Sequence, residues 1–310
     1  MQVNLPPSHF LITGGAGFIG SHLACALATL GHRVTVLDNL SNGNLQNLSS
    51  LQDKICFVRG DVCCADEVAH ACKGVDYILH HAALGSVAES VAQPEETAHI
   101  NITGTQHVLE AARQNGVKRV VFASSAAVYG TRPDYPYKES TPPDCQSPYA
   151  HSKQAATELC QRYTKEYGVD TVILRYFNVF GPRQNPHASY AAVIAKFMQR
   201  ARENKPLEIE WDGLQGRDFV SVHDVVQANL LAVAHGVAGE IYNVASGHTY
   251  TLLELVSMIE KVTGRSLERV FRPKRPGDVH ESSADISKIR ALGFEPQITL
   301  EAGLHEMWTK

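Results

Sequence analysis

The 310-residue chain reads as an α/β protein built on a doubly wound parallel sheet, with a smaller mixed α/β portion attached. Three observations predict this. Short apolar runs, mostly β-branched or aromatic, alternate with longer stretches of helical periodicity, the pattern of βαβ units. The runs are apolar almost throughout, as strands covered on both faces must be. A glycine-rich segment, Gly14-Gly15-Ala16-Gly17-Phe18-Ile19-Gly20, lies between the first run and the first helical stretch.

The strands are expected at Phe10 to Thr13, Val34 to Leu37, Ile55 to Val58, Tyr77 to His80, Val120 to Ala123 and Thr171 to Leu174. The helices are expected at Phe18 to Thr29, Glu95 to Asn115 and Tyr149 to Tyr167. Right-handed crossovers then make a doubly wound sheet the simplest topology. Past Tyr176 the alternation loosens. Gly181-Pro182-Arg183-Gln184-Asn185-Pro186 reads as a loop, Tyr190 to Glu203 as a helix, and Leu207 to Trp211 and Asp218 to Val220 as strands around the turn Asp212-Gly213. Val222 to His235 and Leu252 to Thr263 read as helices, and Arg272 to Asp278 as a loop. Residues 1–177 and 218–244 are expected to form the nucleotide-binding domain. Residues 178–217 and 245–310 are expected to form a substrate-binding portion.

Composition narrows the function classes. The chain is 44% hydrophobic and 19% charged, with a net charge of −4. No basic cluster suits nucleic acid or an anionic membrane, and no apolar run is long enough to span a bilayer. The first ten residues carry two prolines and no basic residue, unlike a signal or transit peptide. The seven cysteines include no Cys-x-x-Cys pair, which suits neither a zinc site nor a disulfide framework, so a reduced, cytoplasmic protein is expected. The fifteen histidines form no His-Glu-x-x-His arrangement, and no metal is expected. His80 and His81 end a strand, where ring burial is the simpler role.

Gly14, Gly17 and Gly20 are spaced Gly-x-x-Gly-x-x-Gly at the start of a helix. This spacing permits a tight turn, lets a pyrophosphate approach the backbone and places it at a helix N-terminus. Asp38 ends the second strand, 18 residues after Gly20, where a carboxylate accepts from ribose hydroxyls and repels a 2′-phosphate. No Arg or Lys adjoins it, so NAD is expected over NADP. Asp61-Val62 follows the third strand. Asp61 is either a turn residue or an acceptor for the adenine amino group.

Tyr149 and Lys153 stand four residues apart and share one helix face. Such a pair can be a surface coincidence. Beside a dinucleotide site, an ammonium that lowers a phenol's pKa makes that phenol a usable base. Ser124-Ser125 ends the strand before them.

This Ser…Tyr-x-x-x-Lys set downstream of the glycine motif resembles the extended short-chain dehydrogenase/reductases. Within them it is most similar to the UDP-hexose 4-epimerases, particularly those acting on UDP-N-acetylglucosamine. The resemblance covers essentially the whole chain. It is carried by the glycine segment and by His81-Ala82-Ala83-Leu84-Gly85-Ser86-Val87, Ser124-Ser125-Ala126-Ala127-Val128-Tyr129-Gly130, Leu174-Arg175-Tyr176-Phe177-Asn178-Val179-Phe180-Gly181-Pro182-Arg183-Gln184, Gly216-Arg217-Asp218-Phe219-Val220 and Arg275-Pro276-Gly277-Asp278.

The resemblance implies a Rossmann-like fold and a catalytic set of Tyr149, Lys153 and Ser125. Tyr149 would take the proton of the sugar 4-hydroxyl, Ser125 would bridge it, and Lys153 would hold the nicotinamide ribose and keep the phenol acidic. NAD contacts are implied for Gly14, Gly17, Phe18, Ile19, Gly20, Asp38, Asn39, Asp61, Val62, Ala82, Asn101, Tyr149, Lys153 and Tyr176. Sugar-nucleotide contacts are implied for Ser86, Ser125, Tyr149, Asn178, Arg217, Arg275, Asp278 and Ser282. For three of these a structural role stays open: Asn101 as a locally bonded helix residue, Arg217 as a partner of Asp218 or Asp212, and Arg275 as a solvated loop charge.

Related 4,6-dehydratases carry an Asp-Glu pair after the residue matching Ser125, whereas Ala126 and Ala127 stand here, favouring oxidation and return at C4. Four residues after Asp278, Ser282 replaces the tyrosine that excludes an N-acetyl group. Ala88-Glu89-Ser90 departs from the Pro-Arg-Ser of N-acetyl-preferring relatives, and Glu89 suits an anionic sugar poorly. A UDP-glucuronate 4-epimerase and a silent NAD-binding regulator are the alternatives. The family also implies a homodimer through the Glu95 to Asn115 and Tyr149 to Tyr167 helices. Val108, Leu109, Ala112, Ala155, Leu159 and Tyr163 would supply either that surface or contacts to the chain's own sheet.

Overall fold

A computed structural model describes residues 5–186, 192–274 and 280–309. The first half runs β1 His9–Thr13, α1 Phe18–Thr29, β2 Arg33–Asp38, β3 Ile55–Arg59, α2 Ala65–Ala71, β4 Tyr77–His80, α3 Val87–Ala92, α4 Pro94–Ala98, α5 Gly104–Asn115, β5 Arg119–Ser125, α6 Pro148–Tyr167 and β6 Thr171–Tyr176. The second half runs β7 Asn178–Phe180, α7 Val193–Arg202, β8 Leu207–Glu210, β9 Gly216–Ser221, α8 Val222–His235, β10 Ile241–Val244, β11 Thr249–Thr251, α9 Leu252–Thr263, β12 Arg269–Arg272, β13 Glu281–Ser282, α10 Ser287–Arg290 and α11 Leu300–Thr309.

Seven strands form one parallel sheet in the order β3-β2-β1-β4-β5-β6-β10. The six strands expected from sequence are all present. The seventh, Ile241–Val244, was not anticipated, because a four-residue run containing Asn243 carries little strand signal. Side chains alternate across the sheet as the pleat requires. Phe10, Ile12, Val34 and Val36 enter one core with Leu23 and Leu27 of α1 and Val225 and Leu231 of α8. Leu11, Ile78, Val120 and Phe122 enter the other with Val68, Val108, Leu109 and Cys160. Burial on both faces is why these strands carry no polar stripe.

A third core, centred on Phe180, Phe197, Met198, Ile209, Phe219 and Leu255, lies outside the large sheet. Here β9 pairs with β7, β11 and β13, and β12 pairs with β8. The expected helix from Tyr190 resolves as Val193–Arg202, and residues 187–191 lie outside the described residues.

The expected Glu95 to Asn115 helix is broken into α4, a π-turn at His99–Thr103, and α5. Val108, Leu109 and Ala112 are fully buried, and Tyr163 is nearly so, all against the chain's own sheet. These four therefore serve the core. Ala155 and Leu159 are only half-buried. Among the described residues no helix is long and apolar enough to cross a membrane.

Candidate active site

In the strand order 3-2-1-4-5-6 the chain reverses direction across the sheet between β1 and β4. Open α/β sheets bind ligands at such a point, beyond the carboxyl ends of the strands. Thr13, His80, Ser125 and Tyr176 all close parallel strands at that edge.

The glycine loop is packed too tightly for side chains. Gly14 has φ +68°, and a Cβ there would sit 2.7 Å from the Ala82 backbone nitrogen. A Cβ on Gly20 would sit 2.3 Å from the Gly14 carbonyl oxygen. Gly14 donates its N–H to Leu37, and Gly17 donates to Gly14. Gly17 caps α1 without a side chain, so Phe18 and Ile19 open the helix with unshielded backbone N–H groups.

The Asp38 carboxylate accepts from Ala16 N at 2.9 Å and Leu40 N at 2.8 Å, fastening the end of β2 to this loop. A carboxylate has about four acceptor sites, so two remain for ribose hydroxyls. Asn39 donates to Asp61 at 2.8 Å, bridging the ends of β2 and β3. Asp61 also accepts from Cys63 N, which gives it the turn role left open by the sequence. Burial pushes the Asp61 carboxyl up, but the bonds from Cys63 and Asn39 outweigh it and hold the pKa below its ordinary value. The Val62 side chain is buried in the core. The close-packed glycine cradle and the acidic end of β2 fit NAD; no lysine or arginine adjoins Asp38 in the chain, and Arg59 pairs in register with it on β3.

Thr13, His80, His81 and Ala82 form a closed network. The Thr105 hydroxyl donates to Asn101 O at 2.6 Å, so in its 3.0 Å contact with His80 Nε2 it must accept. His80 Nδ1 then accepts from Thr13 Oγ1 at 2.6 Å, and Thr13 Oγ1 accepts from the His81 and Ala82 N–H groups at 3.2 Å. Burial lowers both histidines to about 3, so both rings are neutral. His81 also bonds Tyr176 Oη at 2.9 Å, and Asn229 donates to that hydroxyl at 2.8 Å. Tyr176 thus spends its hydroxyl inside the protein.

Helix α6 presents Tyr149 and Lys153. Ser147 caps it through Ala150 N, Pro148 occupies the first turn, and left-handed Gly168 ends it. Lys153 is buried, with Nζ 2.9 Å from Ala123 O and 5.9 Å from the centre of the Tyr149 ring. Burial lowers its pKa to about 8.

The expected acidic phenol is not what these groups produce. Burial around Tyr149 raises its pKa, and the Ser125 hydrogen bond only partly offsets this. The lysine head is turned to a main-chain carbonyl, which is why it does little for the phenol. Ser125 is nonetheless brought to Tyr149, and its Oγ also accepts from Ala127 N at 3.2 Å. Ala126 and Ala127, both half-buried, form the turn that follows.

Asn101 sits in the π-turn and is buried. Its amide accepts from Leu84 N and donates to Leu84 O and to Ser152 Oγ. Its bonds are therefore long-range, and no local helix bond accounts for it. Ser86 caps α3 through Glu89 N.

Toward the smaller sheet, Asn178 donates to Asp218 O at 2.9 Å, and Arg217 donates to Gly216 O at 2.8 Å. Asp218 spends its carboxylate on Ser246 N, Ser246 Oγ and Gly247 N. Burial raises it to about 6 against those bonds. Asp212 accepts from Leu214 N. Ser282 is half-buried and pairs in register with Arg217. Arg275 and Asp278 lie outside the described residues.

Sequence reasoning missed Thr13, Ser90 and Ser152, because a buried hydroxyl has no signature apart from its partners.

A family model for the NAD dependent epimerase/dehydratase family matches residues 10–245. The chain belongs to this family. It is an NAD-dependent enzyme with the Rossmann-like fold that the glycine spacing predicted. A UDP-glucose 4-epimerase of Mycolicibacterium smegmatis is 39% identical, over 95% of each chain. The structure of a UDP-N-acetylglucosamine 4-epimerase from Methanobrevibacter ruminantium, solved with UDP-N-acetylmuramic acid, superposes with a TM-score of 0.95. It is 37% identical and covers 98% of this chain and 99% of its own. The Thermotoga maritima UDP-glucose 4-epimerase, solved with UDP-glucose, gives 0.93 at 37% identity and 97% coverage of both chains.

Proposed function

We propose that this protein, an NAD-dependent UDP-sugar 4-epimerase, interconverts UDP-N-acetylglucosamine and UDP-N-acetylgalactosamine and also accepts UDP-glucose and UDP-galactose. The observation that carries the reaction type is Ser125, followed by two alanines, placed beside Tyr149, with Lys153 one turn on. Bound NAD supplies the acceptor, and later the donor, of a hydride at sugar C4. Tyr149 removes the proton of the 4-hydroxyl and returns it, and Ser125 holds that oxygen in line. Lys153 supplies a buried cation at the nicotinamide ribose. Elimination of water would need an acid where Ala126 and Ala127 stand, so the 4-keto sugar is only reduced again, from either face.

The N-acetyl group is supported by Ser282, which leaves space beside Arg217, and by the similarity to the UDP-N-acetylglucosamine 4-epimerase. Glu89, half-buried beside Ser90 on α3, disfavours a uronate. We assign NAD to residues 1–177 and 218–244, and the sugar nucleotide to residues 178–217 and 245–310. Asn178, Arg217, Arg275 and Asp278 serve the uridine diphosphate, and Ser86 the sugar. A homodimer through the outer faces of α5 and α6 belongs to the same proposal, and sedimentation at the monomer mass would remove it.

The holoenzyme incubated with UDP-N-acetylglucosamine should yield UDP-N-acetylgalactosamine by proton NMR. No such product, alongside turnover of UDP-glucose or UDP-glucuronate, refutes the substrate assignment.

A further inference from the structure

Helix α6 begins with N–H groups that no helical carbonyl can reach. Ser147 Oγ takes Ala150 N, Ser147 O takes His151 N, and Pro148 has none to offer. The remaining donor is the N–H of Tyr149 itself. It goes to Ser90 Oγ at 3.0 Å, and the same hydroxyl donates to Val87 O at 2.6 Å. Ser90 is fully buried on α3, immediately after Glu89. Its one proton is spent on Val87, so it faces Tyr149 purely as an acceptor.

The Tyr149 carbonyl is held as well. Ser152 Oγ donates to it at 2.8 Å and accepts from Asn101 Nδ2 at 2.9 Å. The Asn101 amide is locked in turn by both main-chain groups of Leu84. Asn101 reaches both partners because it lies in the π-turn, a helix irregularity often found at functional sites. Segment Leu84–Ser90 therefore grips the backbone of Tyr149 from both ends, through Ser90 to its N–H and through Asn101 and Ser152 to its C=O.

We propose that Ser90 and Ser152 are positioning residues that fix the Tyr149 phenol against Ser125 and the sugar 4-oxygen, and that they couple it to segment Leu84–Ser90. This rests on the reading of Tyr149 as the base. The phenol has little tolerance for displacement, because burial already opposes its ionisation and the Ser125 hydrogen bond is what offsets it. A displacement on the order of 1 Å at a reacting group can reduce the rate by ~100-fold.

The experiment compares Ser90→Ala, Ser90→Thr, Ser152→Ala and Tyr149→Phe as holoenzymes on UDP-N-acetylglucosamine and UDP-glucose. Ser90→Ala and Ser152→Ala should each lower kcat by about 10-fold with KM within about two-fold. The NAD content should be unchanged. The acid limb of the kcat profile should move up by about half a pH unit as the Ser125 bond loosens. Ser90→Thr, which keeps the acceptor, should recover most of kcat and the original limb. Wild-type kcat and an unmoved limb in both alanine variants overturn the proposal, as does a loss that follows only lower Tm or lower NAD content. Should Ser90→Ala fail to fold, Ser152→Ala alone decides. Activity in Tyr149→Phe overturns the reading of the base instead, so the two failures are distinct.

Discussion

The sheet edge around β1, β4 and α6 and the smaller sheet around β9 both contribute candidate site residues, but they hold them differently. At the sheet edge Thr13, His80 and Lys153 are buried, Ser125 and Tyr149 are half-buried, and three bonds have a determined direction: Thr13 to His80, His80 to Thr105, Lys153 to Ala123. Around β9 the candidates are half-exposed and lean on main-chain carbonyls, Asn178 on Asp218 and Arg217 on Gly216. Buried hydrogen-bonded networks have few arrangements, whereas half-exposed side chains can turn to different partners. The contrast suits an enzyme that must fix a proton and a hydride while a sugar turns. Chemistry should therefore respond to edge substitutions on every substrate, and β9-side substitutions should discriminate between substrates.

The largest expected effect lies at the edge. Tyr149→Phe should lower kcat on all UDP-sugars by ~1,000-fold or more with NAD retained, since the phenol is the group proposed to take the C4 hydroxyl proton. Lys153→Met should also inactivate, yet it should stabilise the fold. The Lys153 pKa falls to about 8 from an ordinary 10.5, so below pH 8 its buried charge opposes folding, and that penalty is relieved only as pH rises through 8 to 10.5. The shift corresponds to roughly 3 kcal/mol at neutral pH. Losing the Ala123 bond returns ~1 kcal/mol of it. A rise in Tm of about 2–3 °C at pH 7 is expected for a chain of this length, and calorimetry showing a fall would break the account of a strained, buried ammonium.

The middle effect tests the other region. Ser282→Tyr should lower kcat/KM on UDP-N-acetylglucosamine by ~100-fold through exclusion of the N-acetyl group, and leave UDP-glucose within about three-fold, the discrimination that a steric pocket can reach. Equal losses on both substrates, or none, would remove Ser282 from the C2 side.

The same contrast explains what the sequence could tell. Gly14, Gly20 and Asp38 were legible because close backbone approach admits one residue type at a fixed spacing. Tyr149 and Lys153 were legible from helical spacing. The chemistry between them was not: the direction of the phenol shift depends on where Nζ points, and it points to Ala123. The π-turn at His99–Thr103 was invisible because its residues keep helical periodicity on either side. Val108 and Leu109 fit either a dimer face or a core by pattern alone, and only the sheet beneath α5 decides. Ser90 had no signal, since its partner is a backbone N–H 59 residues away.

The remaining test compares the regions by acid titration. His80 and His81 keep pKa values of about 3 in the folded protein, against 6.5 when exposed. Between those values the unfolded chain holds protons that the native one refuses, so stability falls with falling pH, by up to about 1.4 kcal/mol per unit for each ring. Asp218 acts in the opposite sense. Its pKa rises to about 6 from 3.8, so in that interval the native state binds the extra proton, and acidification is partly compensated. Denaturant unfolding of the holoenzyme from pH 6.5 to 4.5 should therefore show a net loss smaller than two histidines alone would give. Asp218→Asn should steepen that loss by up to about 1.4 kcal/mol per unit below pH 6, and His80→Gln should flatten it by the same amount, whatever either does to stability at pH 7. Parallel pH profiles for all three proteins would mean that water reaches His80 at the sheet edge and Asp218 on β9 alike, and the burial assigned to both groups would be lost.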